Sequence, residues 1–406
     1  MAAIDPRLEK LAQLALEEVE GNILPFWKKH AIDEKYGGFI GASADDGSPV
    51  EGAPKCLILN ARLVWSYASA YRVLGKPEYL ELAKRAYDYF IGHFLDPEYG
   101  GAYYMVDHTG KPQQDHKMVY GNAFAIYGLA EYYRATGDEG ALRRAIEIFE
   151  LLEKHAFDPI NLGYYEMFTR DWQRVERQSP HRRIDMTKTM NTHLHMIEAY
   201  TCLLRVWRNE RIENKVREHL NVMLNKVTNE EIGHFTMFFD AQWNGTSSDV
   251  SYGHDIEGTW LMMETCEVLG WHEAEKEAAP VCLKMARACL DESIDADGAM
   301  LYEYKPDTNE MLRQRSWWVQ SEAVTGFLNA WQMGGGEEFM QAALRSFAYI
   351  REHIVDHANG EWFAMLDEHN APMSSSDTKI GGWKAPYHNS RMCFELIERA
   401  RKAKGE

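Results

Sequence analysis

The chain has 406 residues, 62 of them acidic and 44 basic, for a formal charge of −18; that balance excludes nucleic acid as a partner, because such binding rests on phosphate neutralisation by Lys and Arg. Apolar residues make up 45% and aromatics 12%, enough for a large core. No run approaches the roughly 20 apolar residues of a membrane span, and Met1 to Leu8 carries no run of signal-peptide length, so a cytoplasmic protein without a membrane partner is expected.

Apolar residues recur at helical spacing over 7–30, 59–75, 78–93, 119–136, 139–155, 189–208, 211–227, 253–270, 273–291, 317–333, 336–353 and 385–402. After every odd-numbered segment comes a Gly-containing turn beside an aromatic stretch: Tyr36-Gly37-Gly38-Phe39, Tyr99-Gly100-Gly101, Leu162-Gly163-Tyr164, Ile232-Gly233-His234, Asp297-Gly298-Ala299 and Asn359-Gly360-Glu361. These turns recur at intervals of 62–70 residues. An interval near 60 holds two helices of about 15–20 residues and a short hairpin. Six such units use nearly the whole chain, which predicts an all-α fold: an (α/α)6 barrel, a toroid of twelve helices with short β-hairpins between helix pairs. No linker interrupts the repeat, so residues 1–406 are expected to form one catalytic domain, a monomer or weak homodimer. Met373 to Asp377 reads as a loop. The six cysteines, Cys56, Cys202, Cys266, Cys282, Cys289 and Cys393, form no Cys-x-x-Cys pair and read as reduced thiols rather than a disulfide or zinc framework.

In such a toroid the even-numbered segments line the centre, and their N-terminal ends converge on one mouth. Chemistry-bearing residues at those starts are therefore the candidates. Arg62 is a cation on an apolar inner helix, where an unpaired charge is costly and a ligand or carboxylate partner is expected. Tyr120 could offer a hydroxyl to the same space. In Met190-Asn191-Thr192-His193-Leu194-His195, Asn191 and His195 share a face at i, i+4 while His193 points elsewhere. A zinc reading of His193 and His195 would need both rings on one side and a third ligand. In Tyr252-Gly253-His254-Asp255-Ile256-Glu257, His254 and Glu257 lie at i, i+3, so the carboxylate is expected to hold the imidazole and raise its pKa against the helix macrodipole. Trp317 and Trp318 open another inner helix, with Glu322 one turn beyond Trp318. Adjacent tryptophans commonly pack in a core; at a mouth their indoles could stack on a sugar. Finally Pro386 suits a first helical turn, which places His388 in that turn and Trp383 in the loop before it.

Neither a Walker nor a dinucleotide glycine loop is present, and no His/carboxylate spacing makes a convincing metal site, so no cofactor and no metal is expected. Proton transfer on a neutral sugar remains. The stretches Ala53-Pro54-Lys55-Cys56-Leu57-Ile58-Leu59-Asn60-Ala61-Arg62, Met190 to His195, Gly253-His254-Asp255-Ile256-Glu257, Trp317-Trp318-x-Gln320-x-Glu322-Ala323 and Trp383-Lys384-x-Pro386-Tyr387-His388-Asn389 resemble the N-acylglucosamine 2-epimerase superfamily and, within it, the cellobiose 2-epimerases. Val319 stands where that family often has Pro.

The resemblance implies an (α/α)6 barrel and reversible C2 epimerisation of the reducing-end glucose of β-1,4-linked disaccharides. Cellobiose would give glucosyl-mannose, and lactose epilactose, by ring opening and a cis-enediol. It implies His254 and His388 as the acid/base pair, steadied by Glu257 and Glu322. His195 would assist ring opening. Arg62 and Asn191 would hold the O1/O2 region, and Trp317, Trp318 and Trp383 would stack on the sugars. Three other readings stay open: an aldose–ketose isomerase of the mannose or sulfoquinovose type, a hydrolase, which would centre on two acidic residues, and a sugar- or protein-binding barrel with a relic site.

Overall fold

A computed structural model describes residues 4–176, 184–373 and 378–405; Ser374 to Asp377 of the expected loop and the first three residues of the chain lie outside the described residues. The first long helix is α1 (Pro6–Glu18) and α2 (Leu24–His30), joined by a π-helical turn at Val19–Ile23. Five further pairs follow: α3 (Leu57–Leu74) with α4 (Pro77–His93), α5 (Val119–Thr136) with α6 (Glu139–His155), α7 (Met190–Val206) with α8 (Glu210–Val222), α9 (Tyr252–Leu269) with α10 (His272–Ser293), and α11 (Trp317–Gln332) with α12 (Glu337–Tyr349). The last helix, α13 (His388–Lys404), packs on α1. Neighbouring contacts run α3 to α5, α7, α9, α11, α13 and back to α3, closing an inner ring inside an outer one. The fold is the expected (α/α)6 barrel.

Inner and outer helices differ as burial demands. On α5, every residue from Val119 to Tyr132 is buried, whereas α6 buries only Ala141, Leu142, Ala145, Ile148, Phe149 and Leu152, one face of the helix. The expected boundaries hold within a few residues. The clearest difference is the last helix, which begins at His388 and not at 385. Pro disfavours helical backbone in the residue before it, and Pro386 stands outside the helix, its carbonyl taken up by the Ser66 hydroxyl at 3.0 Å.

The glycine turns carry positive φ at Gly37, Gly38, Gly100, Gly101, Gly163, Gly233, Gly298 and Gly360, a conformation that glycine adopts without a Cβ penalty. Short strands at the mouth stitch neighbouring units together. Lys55–Cys56, entering α3, pairs antiparallel with Met105–Val106 of the next unit, and Lys117–Met118, entering α5, pairs with Met167–Phe168.

A buried ion pair repeats with this stitching. In four units the cation two residues before an inner helix reaches an acid in the glycine turn: Lys55 to Asp33 at 2.7 Å, Lys117 to Asp96 at 2.9 Å, Lys188 to Asp158 at 2.8 Å and Arg315 to Asp295 at 2.6 Å; in the sixth, Lys379, in the longer loop before α13, reaches Asp356 at 2.8 Å. The fourth unit replaces both partners together, with Val250 entering α9 and Asn229 in the turn.

Candidate active site

Counting along each inner helix separates two jobs. The fourth residue holds the hairpin: Asn122 accepts from the Ala102 amide, His193 Nε2 from Tyr164, Asp255 from Phe235 and Gln320 from Met300, all at 2.8–2.9 Å. His193 therefore has a structural task. Its Nδ1 meets the Thr189 carbonyl at 2.7 Å, so both ring nitrogens are engaged and the zinc idea for His193 with His195 loses one ligand.

The second and sixth residues face the barrel axis. They are Tyr120, Asn191 and Trp318 at the second place, and Arg62, His195, Glu257 and Glu322 at the sixth. On α13 the pattern runs from Pro386, outside the helix, which puts Tyr387 at the second place and Arg391 at the sixth. The i, i+4 spacing of these positions is what gathers them on one face.

His388 and Glu322 are brought together as expected, Nδ1 to Oε1 at 2.7 Å; Glu322 also accepts from Trp260 Nε1 at 3.1 Å. His195 Nδ1 lies 2.9 Å from Glu198 Oε2. Arg391 touches three carboxylates at once, Glu198 through Nη1 and Glu257 and Glu322 through Nη2, the last at 2.7 Å. The Trp318 ring packs between His254 and His388, with centroids at 4.6 and 5.6 Å. Arg62 spans the other side, donating to the Tyr120 hydroxyl at 3.0 Å and the Trp383 carbonyl at 2.9 Å, with its guanidinium over the Phe124 and Tyr387 rings. Asn191 Oδ1 is buried without a hydrogen-bond partner among the described residues.

Three expectations need correction. Glu257 does not hold His254: its carboxylate turns to Arg391, and His254 Nδ1 meets the Ser251 hydroxyl at 2.7 Å. A permanently charged guanidinium outcompetes a neutral imidazole for a buried carboxylate. The His254 pKa is accordingly not raised; burial, helped by His195 and Arg62, pushes it down to about 3. And Trp317 is buried away from the histidines, its ring facing Lys384 Nζ at 5.4 Å, because the first helical position points into the hairpin layer. Trp383 stands at the rim, 42% exposed.

Burial is also the main cause that lowers the pKa of His388, reinforced by Arg62 and Arg391, and that of His195. Burial thus biases all three imidazoles toward the neutral form, the form that can accept a proton. For Glu198 burial acts upward, but Arg391, His195 and Tyr387 outweigh it and hold the carboxyl at about 2. For Glu257 burial and the charge of Glu322 prevail over Arg391, and its pKa rises well above the usual carboxylate range.

Glu198, Trp260, Tyr387 and Arg391 were not singled out from sequence. The first two sit about two helical turns beyond the helix starts, at the ninth position. The signal that marked Arg62, a charge on an otherwise apolar inner helix, applies to Glu198 on α7, whereas α13 is rich in charge and gives Arg391 no such mark.

Two donor sets could surround a cation, His195 with Glu198 and Glu257, and Glu257 with Glu322 and His388; within each set the ligand atoms lie within 4.8 Å of one another. Arg391 binds the carboxylates of both sets, so a metal would have to displace the guanidinium that already serves them. At the opposite end of the barrel a cavity of about 790 Å³ is lined by ion pairs such as Arg72–Glu131 and Arg205–Glu264. Among the described residues, no helix is long and apolar enough to cross a membrane.

Residues 38–391 match the N-acylglucosamine 2-epimerase (GlcNAc 2-epimerase) family. A cellobiose 2-epimerase of Bacteroides fragilis is 40% identical over 390 residues, covering 96% of this chain and 99% of that protein. The structure of a cellobiose 2-epimerase from Bacillus thermoamylovorans B4167 superposes with a TM-score of 0.92 at 34% identity, covering 96% of this chain and all of that one. A D-mannose isomerase of Marinomonas mediterranea is more distant, at 23% identity over 92% of this chain and 94% of that protein.

Proposed function

Because the chain belongs to the N-acylglucosamine 2-epimerase family, we propose that it interconverts the C2 epimers of the reducing-end glucose of β-1,4-linked disaccharides, cellobiose first and lactose also. The observation that carries this reading is the gathering of three imidazoles at one end of the inner ring: His254 and His388 on either side of Trp318, and His195 close enough to both for their charges to interact. A hydrolase would instead present a free pair of acids at the mouth; here the carboxylates are turned onto Arg391.

A C2 hydrogen is acidic only when C1 is a carbonyl, so the ring opens first. On this reading His195 takes the proton of the O1 hydroxyl as the ring C1–O5 bond breaks and passes it to O5, returning to its neutral form. One of His388 and His254 then removes the C2 proton and becomes an imidazolium, leaving a cis-enediol(ate). The other enters the step as an imidazolium and gives its proton to the opposite face of C2, so that the pair exchanges its protonation states in each turnover. Glu322 steadies the imidazolium formed on His388, while the Ser251 hydroxyl orients His254. Arg62 donates to oxygen where charge develops, in a site that excludes water, which is the electrostatic share of the rate enhancement.

The test is incubation with cellobiose, lactose and mannose after dialysis against EDTA with no cofactor added. The expected products are the C2-epimeric disaccharides. Fructose from mannose, with both disaccharides untouched, would move the assignment to an aldose–ketose isomerase.

A further inference from the structure

One guanidinium closes two carboxylate–imidazole pairs. Glu198 on α7 receives Arg391 Nη1 and the Tyr387 hydroxyl on Oε1, and gives Oε2 to His195 Nδ1 at 2.9 Å. Glu322 on α11 receives Arg391 Nη2 at 2.7 Å and His388 Nδ1 at 2.7 Å on Oε1, and Trp260 Nε1 at 3.1 Å on Oε2. Every oxygen of these two buried carboxylates is therefore engaged. The third carboxylate on the same guanidinium, Glu257, keeps Oε2 buried and without a partner.

An ionised carboxylate can only accept hydrogen bonds. His195 and His388 must then each carry the ring proton on Nδ1, which leaves Nε2 as the acceptor, and neither Nε2 makes a protein hydrogen bond among the described residues. The orienting partner thus decides which ring nitrogen can take a proton. Glu198 has no comparable reason to be buried as a mere filler. A lone carboxylate at that depth is costly, and its geometry is spent on His195, Tyr387 and Arg391 together.

We propose that Glu198 and Arg391 are positioning residues of the reaction: Glu198 fixes His195 as the Nε2 acceptor for the sugar hydroxyl, and Arg391 locks that pair to the His388–Glu322 pair so that both rings meet one substrate. The proposal rests on the epimerase reading above.

Glu198→Gln keeps the size of the side chain and removes its charge. It should lower kcat about 10- to 100-fold, as loss of an orienting outer partner commonly does, while KM changes less than about threefold. The groups facing His195 are Glu198, Glu257, Arg62, Arg391, His254 and His388, with the rings of Tyr120 and Phe124. Glu198 is the one that hydrogen-bonds the ring and favours the imidazolium, so its loss should move the acid limb of the kcat profile to lower pH. Arg391→Lys, which keeps the charge but cannot fork, should lower kcat with both limbs disturbed. A folded Glu198→Gln protein with wild-type kcat and an unchanged profile overturns the proposal, as does one altered in melting temperature alone.

Should the variants fail to fold, nitrogen-15 NMR of the histidine-labelled wild-type protein decides without any substrate. His195 assigned as protonated on Nδ1 supports the proposal; protonation on Nε2 overturns it. Failure of the wild-type protein to turn over cellobiose would count against the epimerase reading, and the tautomer measurement would stand apart from it.

Discussion

His388 and Glu322 lie 66 residues apart and meet Nδ1 to Oε1 at 2.7 Å at the centre of the barrel. Neither can be replaced by its neighbour in sequence, because only the sixth place of α11 and the start of α13 face each other there. His388→Ala should cost about 10²–10⁴ in kcat, the usual worth of a positioned acid or base. Glu322→Gln should cost less, since the amide oxygen can still accept from Nδ1, and should leave KM nearly unchanged. Steady-state kinetics on cellobiose checks both; a His388→Ala protein with near-full activity would remove His388 from the acid/base pair.

The buried histidines set the acid side of the stability curve. His193, His195, His219, His254 and His388 all have pKa values below the ordinary 6.5, chiefly through burial, with His219 at about 4 and His254 at about 3. Below pH 6.5 the unfolded chain binds protons that the folded chain refuses, so stability falls as pH falls, by up to about 1.4 kcal/mol per pH unit for each ring. His234, held between Asp255 and Glu292, is raised and acts the other way: its contribution is complete below 6.5 and is lost as pH rises through its folded value. The raised carboxyls of Asp255, Glu257 and Glu395 act in the same sense as His234, because the folded chain holds their protons more tightly. Five rings stand against these four groups, so melting temperature should decline between pH 6.5 and 4.5. A flat melting temperature across that window would contradict the burial of these rings.

The fourth unit offers an internal control on the repeated ion pair. There Val250 and Asn229 replace the cation and the acid together, as expected if a buried pair can be exchanged for neutral residues but not halved. Lys55→Val alone strands Asp33 and should cost about 3–5 kcal/mol. The double substitution Lys55→Val with Asp33→Asn should cost less than that single one. The Asn can still cap the turn amides of Lys35 and Tyr36, as Asp33 does and as Asn229 caps Glu231. Urea unfolding of both variants gives the comparison, and a double variant less stable than the single would end the argument.

The architecture was legible because its punctuation is local. Gly38, Gly101 and Gly163 combine positive φ with turns where a Cβ would run into Tyr89, Trp172 and Trp243, and amphipathic outer helices announce themselves by periodicity. The site was legible only where a residue type contradicts its helix, as Arg62 and His195 do. Contacts between units were not. From spacing alone Glu257 belongs to His254, three residues away, yet Arg391, 134 residues away, takes it. Local proximity proposes a partner, and tertiary competition for a buried charge chooses another. Trp317 and Trp318 show the same limit at closer range: one step along a helix turns an indole from the hairpin layer to the axis.

Those indoles bear on the size of the sugar. On the proposed reading Trp318, which packs against His254 and His388, borders the reacting ring. Trp383, at the rim and tied to Arg62 through its carbonyl, is placed for the second ring. Binding energy from a remote, non-reacting sugar can be spent on orienting the reacting one, so cellobiose and lactose should show higher kcat/KM than glucose or mannose. Trp383→Ala should narrow that difference while leaving monosaccharide turnover nearly unchanged, since the Arg62 contact is to the backbone and survives. Trp318→Ala should depress both substrates alike, because its ring lies between the two histidines. Equal kcat/KM for mannose and cellobiose in the wild-type protein would sink the disaccharide assignment, and a Trp383→Ala variant that keeps the full disaccharide preference would move the second sugar away from the rim.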